Sequence, residues 1–149
     1  MKKLYVLLLA VVVVSCIFSG CSKKSPAPSY YMSAKIGNAD YHVVNCIAFP
    51  SGGATIIDGF LPTSRTPSYP YIIINLQSSL GSTNKIKLDN STGSYAQLFT
   101  SSTFSSISQS GEMYITDLSG NISGTFSFTC ADGTIVTDGQ FTANRMQAL

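Results

Sequence analysis

One stretch of nine residues, Ile122–Cys130, constrains the fold more than any other part of the chain. Isoleucine, glycine, phenylalanine and cysteine alternate there with serine and threonine, without an interruption. Successive side chains of a β-strand point to opposite faces, so this alternation predicts a strand with one buried face and one wet face. We therefore expect an antiparallel sheet whose inner face carries Phe126, Phe128 and Cys130.

The rest of residues 30–149 has the same character. Short alternating or β-branched segments bounded by turn residues predict further strands. The predicted strands are Tyr31–Ile36, 41–48, 54–61, Tyr71–Leu76, 85–88, 95–100, 111–117, Ile122–Cys130 and 134–143. The last three read as an antiparallel meander, with a turn at Asp132-Gly133 and a bulge at Gly139. The serine-rich segment 101–110 reads as a mobile loop or a ragged edge strand.

No segment shows the spacing of a helix long enough for a parallel crossover. We therefore predict a single all-β domain, an antiparallel β-sandwich or small barrel of about eight to nine short strands. Sequence pattern alone does not choose between the two.

The N-terminus has the layout of a lipoprotein signal peptide. Lys2 and Lys3 precede an apolar run over residues 4–14, and small residues lead directly to Cys21. We predict a signal peptide over 1–20, a diacylated Cys21, and a polar tether over 21–29 that contains two prolines. Two acyl chains hold a soluble domain stably at a membrane. The alternatives are an uncleaved anchor helix and an ordinary secretory signal that leaves Cys21 free.

Removing this leader changes the charge balance. The chain has nine basic and seven acidic residues, and Lys2 and Lys3 leave with the signal, so the mature net charge is zero. The remaining Lys and Arg residues form no cluster interleaved with aromatics. Nucleic acid is therefore not an expected partner.

Two sets of short motifs carry a resemblance to a known family. The first strand contains Ser33-Ala34-Lys35-Ile36-Gly37, and the last third contains three matching segments: 111–116, 122–129 and 137–141. This pattern, ending in ISGTFSFT and TDGQF, resembles a family of small lipoproteins common in Bacteroidetes that carry a domain of unknown function. The resemblance implies an envelope lipoprotein with a β-rich domain. It implies no catalytic or binding residues.

Two cysteines remain in the predicted mature domain, Cys46 and Cys130. A pair of cysteines outside the cytoplasm predicts a disulfide, and Cys130 shares the inner face of its strand with two phenylalanines. The alternative is two buried free thiols that never meet.

The sequence offers little for catalysis. His42 is the only histidine, so a Ser-His-Asp triad or a Cys–His pair would depend on it alone, and a metal site would need further ligands. Most of the acidic residues adjoin turns, where Asp is a common turn residue. We therefore expect no enzyme activity, no cofactor and no metal.

Tyrosine is the one residue type that suggests binding. Seven of the eight lie in the predicted mature domain, where exposed rings beside Asn and Ser could stack on a glycan or a partner protein. We expect a non-enzymatic binding or structural module at the cell envelope, on the periplasmic face or the cell surface. The alternatives are a lipocalin-like carrier of an apolar ligand and an inhibitor of a secreted hydrolase that uses segment 62–70 or 101–110.

Replacing Cys21 tests the predicted anchor. Cys21→Ala should leave the precursor unprocessed, because the acylated cysteine is the residue before which a lipoprotein signal is cut. Globomycin should have the same effect on the unaltered protein. Unchanged gel mobility and unchanged partitioning into detergent would contradict the prediction.

Overall fold

The computed structural model describes residues 30–59, 68–77 and 85–146. The predicted signal peptide, Cys21 and the whole predicted tether lie outside these residues, as do residues 60–67. The described part is built from strands, with one short 3-10 turn at Asn90–Thr92. In chain order the strands are β1 (Tyr31–Ile36), β2 (Ala39–Val44), β3 (Ile47–Ser51), β4 (Ala54–Asp58), β5 (Tyr71–Leu76), β6 (Lys85–Lys87), β7 (Tyr95–Phe99), β8 (Ser105–Asp117), β9 (Ile122–Cys130) and β10 (Ile135–Arg145).

The chain forms a closed seven-stranded barrel with extra strands. Strands β3, β4, β5, β7, β8, β9 and β10 follow one another around the ring, and β10 closes it by pairing with β3. This confirms the predicted all-β class. Every strand pair except that closing contact is antiparallel; Asn144 and Arg145 pair in parallel with Ile47 and Ala48.

The barrel is made of two sheets that share β8 and β10. Sheet A has the order β6-β8-β9-β10-β1-β2, and sheet B has the order β10-β3-β4-β5-β7-β8. One end of β8 pairs with β7, while its other end pairs with β6. Likewise, β10 pairs first with β1 and then, near its end, with β3. The two long strands therefore form the corners of the barrel.

Bulges let these corner strands bend. The register of β8 against β9 shifts between Ser108 and Ser110, and that of β10 against β9 shifts between Val136 and Gly139. Asp138, inside the second shift, has a φ of +52°. An extra residue on one strand increases its local twist, so these positions help to close the ring. The bulge predicted at Gly139 is confirmed.

The core lies between the two sheets. The alternation predicted for Ile122–Cys130 is confirmed, since its apolar face is buried throughout. Rings in the core pack directly on glycine backbone: a Cβ on Gly124 would lie 2.8 Å from the Phe141 ring, and one on Gly139 would lie 2.5 Å from the Phe126 ring. The interior at β9 and β10 is thus filled by side chains, as in other small barrels.

The interpretation of segment 101–110 as a loop or edge strand is wrong for its second half. Residues 105–110 begin β8 and pair with both β7 and β9. Ser106 and Ser108 point inward and are buried. Their hydroxyls are hydrogen-bonded there, because each oxygen accepts from a backbone amide of a neighbouring segment. Ser108 Oγ accepts from the Ala96 amide at 3.0 Å, and Ser106 Oγ accepts from the Asp132 amide at 3.3 Å. Serine can therefore occupy this barrel wall, although it adds little apolar surface.

The single strand predicted over 41–48 is also wrong, because the chain divides it into β2 and β3. Asn45 has a φ of +76°, a left-handed conformation that Asn tolerates better than most residues. Its amide donates to the Tyr30 carbonyl at 2.9 Å. The chain thereby leaves β2, which pairs with β1, and enters the barrel as β3.

The buried Tyr41 hydroxyl donates to the Gly59 carbonyl at 2.8 Å and ties the β1–β2 hairpin to the end of β4.

A methyl group at Gly124 should destabilise the barrel. Its Cβ would lie 2.4 Å from the Tyr114 carbonyl oxygen as well as against the Phe141 ring, so Gly124→Ala should lower the free energy of unfolding by about 1–3 kcal/mol. The matched control is Gly120→Ala, where an added Cβ meets nothing within 4 Å and should change stability by less than about 1 kcal/mol. Urea unfolding followed by circular dichroism measures both, and equal values for the two variants would contradict the packing described.

Candidate functional site

The outward side chains of β5 and β7 form the candidate site, which we call the aromatic face. It consists of three cross-strand pairs in the middle of sheet B: Tyr71 with Phe99, Ile73 with Gln97, and Asn75 with Tyr95. All six side chains are partly exposed, whereas the alternate residues of both strands are buried in the core. Tyr71 and Asn75 are four residue steps apart along an extended chain, so the face is about 13 Å long.

Aromatic rings form one end of this face. Tyr71 and Phe99 are stacked, with ring centroids 4.4 Å apart and an interplanar angle of 8°. Tyr69 follows at 5.5 Å from Tyr71 with a tilt of 38°. Each ring limits the rotation of its neighbour, so this end of the face is already ordered. Partial burial, with the nearby Tyr69 and Asp58, raises the pKa of Tyr71 above its ordinary value.

Two amide side chains occupy the rest of the face. The Gln97 Nε2 donates to Ser105 Oγ at 2.9 Å, and the Asn75 Nδ2 donates to the Tyr95 hydroxyl at 3.4 Å. Each bond uses one of the two N–H donors of its amide and orients the group across the sheet. Within residues 30–59, 68–77 and 85–146, the amide carbonyl oxygens and the second N–H donors make no further hydrogen bond.

The four described strands that form and flank this face carry few charged side chains. β3, β4, β5 and β7 contain no Lys or Arg, and Asp58 at the end of β4 is the one ionisable acid among those four strands. Asp58 pairs with Ile73 on one side and with Ile47 on the other, so it lies beside the aromatic face. These four described strands therefore contribute hydrogen-bonding groups and rings, but no cation.

The outer face of sheet A has a different chemistry. β9 presents the serines and threonines that alternate with its core residues, and Ser123 Oγ donates to Thr142 Oγ1 at 3.1 Å. On β6 and β8, the Lys85 ammonium lies 2.7 Å from a Glu112 carboxylate oxygen and 5.2 Å from the centre of the Tyr114 ring. This face is mostly hydroxylated and charged, and it also exposes the apolar side chains of Val44, Tyr114 and Ile135.

The predicted disulfide is absent, because Cys46 and Cys130 are both free and buried. The Cys130 amide donates to the Thr134 carbonyl just before β10, whereas the Cys46 carbonyl accepts from Asn144 near the end of β10. Ten residues of strand separate these two partners, a distance on the order of 30 Å. A disulfide needs Cα atoms within about 7 Å, so the two thiols are not able to meet in this fold.

Burial also makes both thiols poor nucleophiles. Loss of water, assisted by the negative charge of Asp58, raises the pKa of Cys46 to about 12. Burial and the nearby Asp132 raise the pKa of Cys130 to about 11. Since the thiolate is the reactive form, neither cysteine suits catalysis at neutral pH.

The structure separates the other groups weighed for catalysis. His42 is exposed on the outer face of sheet A, where its ring lies 6.2 Å from that of Tyr31. The sequence placed it on the same face as Cys46, but the turn at Asn45 puts Cys46 in the core. Within residues 30–59, 68–77 and 85–146, no three His, Cys, Asp or Glu side chains are grouped to hold a metal ion.

The predicted turn role is confirmed for Asp89 and Asp132, and Asp117 has the same role. Asp89 accepts from the Ser91 amide at 2.9 Å, and Asp132 accepts from the Thr134 amide at 2.9 Å. Asp117 makes the same contact with Ser119 at 2.8 Å. These hydrogen bonds favour the charged form and lower the pKa of each carboxyl group below its ordinary value.

Comparison with known proteins adds no relative. No protein-family model, curated protein or solved structure matches this chain. The resemblance to Bacteroidetes lipoproteins therefore stays a prediction from the motifs.

Among the described residues, no helix has the length and apolar character needed to cross a membrane.

Sequence reasoning identified the tyrosines but not the face that contains them. Phe99, Gln97 and Asn75 were not singled out, because their importance comes from strand pairing. One signal is present in the sequence: Tyr71–Leu76 is apolar on both faces apart from Asn75, a pattern that is typical of a strand covered on both sides. The outward Tyr71 and Ile73 are instead partly exposed on the barrel surface.

Thiol labelling tests the correction about the cysteines. Without reductant, the mature protein denatured in guanidinium should react with maleimide at both Cys46 and Cys130, as found by mass spectrometry of peptides. The native protein should react at neither site over the same time, because both sulfurs are buried. Resistance of the denatured protein to labelling, reversed by reductant, would restore the disulfide.

Proposed function

We propose that this protein is a lipid-anchored, non-enzymatic binding module of the cell envelope that engages its partner through the aromatic face. The observation that carries the proposal is the position of that face. Two stacked rings, an isoleucine and two oriented amides lie partly exposed at the centre of a sheet, where a wet strand ordinarily presents polar residues.

The physical argument rests on hydration. Apolar surface left in water costs roughly 25 cal/mol per Å², so a contiguous apolar patch marks a surface that contacts something else. The rigid Tyr71–Phe99 pair would lose little conformational freedom on binding. Preordered aromatic side chains are typical of interface residues that contribute most to affinity.

The remaining features support a binding role over a catalytic one. Both thiols are buried and protonated at neutral pH, His42 is exposed on the outer face of sheet A, and the turn carboxylates accept hydrogen bonds from backbone amides. The lipoprotein signal supports an envelope location, with the domain held at a membrane by Cys21. The family resemblance points to the same location.

The two alternative functions receive less support. A lipocalin-like carrier needs an open lumen, whereas Phe126 and Phe141 pack tightly on glycine backbone inside this barrel. An inhibitor using segment 101–110 needs a projecting loop, but residues 105–110 belong to β8. Most of the other inhibitory segment considered, 62–70, lies outside the described residues.

Site-specific photocrosslinking in living cells tests the proposed surface without assuming a ligand. Benzoylphenylalanine at position 97 lies in the aromatic face, and the same residue at position 125 lies on the outer face of sheet A. Because benzophenone inserts into C–H bonds of any neighbour, position 97 should yield an adduct of altered gel mobility and position 125 should not.

Two controls make this experiment decisive. Both variants must reach the membrane fraction in equal amounts, which shows that folding and anchoring are intact. Adducts of equal yield from the two positions, or from position 125 alone, would contradict a binding role for the aromatic face, as would their absence from both.

A further inference from the structure

We propose that the end of the barrel at which the chain enters lies against the lipid bilayer. The residues that make this contact are Tyr30, Tyr31, Val44, Arg145 and Met146, which we call the entry surface. The inference rests on the proposed lipid anchor and adds the orientation of the anchored domain. It does not involve the aromatic face, which β5 and β7 carry.

Strand pairing brings the residues of the entry surface together. Tyr31, the first residue of β1, pairs with Val44 on one side and with Thr142 on the other. β10 runs antiparallel to β1, so the last residues of β10 extend past Tyr31 towards the incoming chain. The Asn144 amide also donates to the carbonyl of Cys46, which follows Val44 by two residues. The ends of β2 and β10 therefore flank the point where the chain enters.

Apolar and aromatic side chains are exposed at this end of the barrel. Val44 is 39% exposed and Met146 is 51% exposed, whereas the outer face of a wet sheet ordinarily presents polar groups. Tyr30 and Tyr31 are partly exposed beside them. A tyrosine combines an apolar ring with a polar hydroxyl, which suits the boundary between lipid headgroups and acyl chains. The entry surface thus has the chemical character of a shallow membrane contact.

Arg145 adds a charge of the sign that lipid phosphates attract. Its side chain is exposed at the end of β10, next to Met146, and a guanidinium can donate two parallel hydrogen bonds to one phosphate. Asp58 and Asp117 are each two strand spacings from β10, a distance of about 10 Å. Charges further apart than about 8 Å are largely screened at physiological salt, so these acids leave a phosphate in contact with Arg145 strongly attracted.

The length of the tether keeps this end close to the lipid. Cys21 and Tyr30 are nine residue steps apart, so even a fully extended tether reaches only about 30 Å. A short linker of this kind gives an effective concentration in the millimolar range. Weak contacts from a few side chains are therefore enough to hold the entry surface at the bilayer.

The tether also distinguishes this end from the opposite one. Ile135 is 54% exposed, so exposure alone would favour it as a membrane contact. It lies at the other end of β10, seven residue steps from Thr142, which is about 23 Å from the level of Tyr31. Placing Ile135 on the bilayer would require a tether extended almost to its limit. The entry surface makes the same contact without that loss of chain freedom.

Fluorescence quenching in lipid nanodiscs tests this orientation. The full lipidated protein carries Val44→Cys, Met146→Cys or Ile135→Cys with an environment-sensitive dye, which labels selectively because Cys46 and Cys130 are buried. The discs contain phosphatidylethanolamine and phosphatidylglycerol, with or without a lipid that has a nitroxide on its headgroup. The nitroxide should remove about half of the emission or more at positions 44 and 146, because residues in contact with lipid lie at the headgroup level. Position 135 should lose almost none.

A charge reversal tests the part assigned to Arg145. Arg145→Glu should reduce the quenching at position 44 by about twofold, because a carboxylate would replace the group that binds phosphate. Lys35→Glu is the matched control, since it makes the same change of charge at an exposed residue four steps further along β1. This control should quench as the unaltered protein does. Circular dichroism of each variant confirms that the barrel is folded.

Several outcomes would overturn the proposal. These are equal quenching at positions 44, 146 and 135, or no quenching at any of them in discs that hold the protein. A blue shift at positions 44 and 146 that requires two protein copies per disc would assign this end to a second copy of the chain. Failure of the protein to enter the discs would contradict the anchor as well, whereas the crosslink at position 97 reports on the aromatic face independently.

Discussion

The structure depends on two strands that each belong to both sheets. β8 and β10 are long enough to pair with different neighbours at their two ends, and their bulges let them turn the corner between sheets. Without this bending, sheet A and sheet B would stack as an open sandwich with exposed edges at the positions where β3 and β7 now find partners. Closure of the ring therefore comes from local irregularity in otherwise regular strands, and bulges commonly have this role in barrels.

The sequence predicted those parts of the fold that depend on side-chain pattern. Ile122–Cys130 was identified because its alternation is unbroken, and Gly139 because glycine inside a strand suggests a bulge. The first half of β8 was missed because buried serines do not resemble a barrel wall. Their burial depends on the amides of Ala96 and Asp132, which come near only after the chain has folded. Cys46 and Cys130 formed a reasonable pair on composition, but only the pairing of β10 reveals that they lie near its opposite ends.

The candidate site illustrates the same limit. Tyrosine content indicated a stacking surface, and Tyr71 was within a predicted strand. Its partner Phe99 is 28 positions further along the chain, and pattern analysis has no means to bring the two into register. What decides the chemistry of the site is therefore the pairing of β5 with β7, which no local signal records. The two outer faces of the barrel differ in composition: the β5–β7 part of sheet B carries rings and amides, and sheet A carries hydroxyls, ion pairs and separate exposed apolar side chains.

The position of β1 has a mechanical consequence. The predicted tether leads into the fold at residue 30, directly before β1, and β1 is paired along its length with β2 on one edge and β10 on the other. Under the proposed anchoring, tension from the membrane would reach a strand that can be withdrawn only by breaking two ladders together. The Tyr41 hydroxyl on β2 would resist removal of the whole β1–β2 hairpin through its hydrogen bond to Gly59. A pull on the N-terminus would thus load an interior strand, and the load would be shared before any part of the barrel opens.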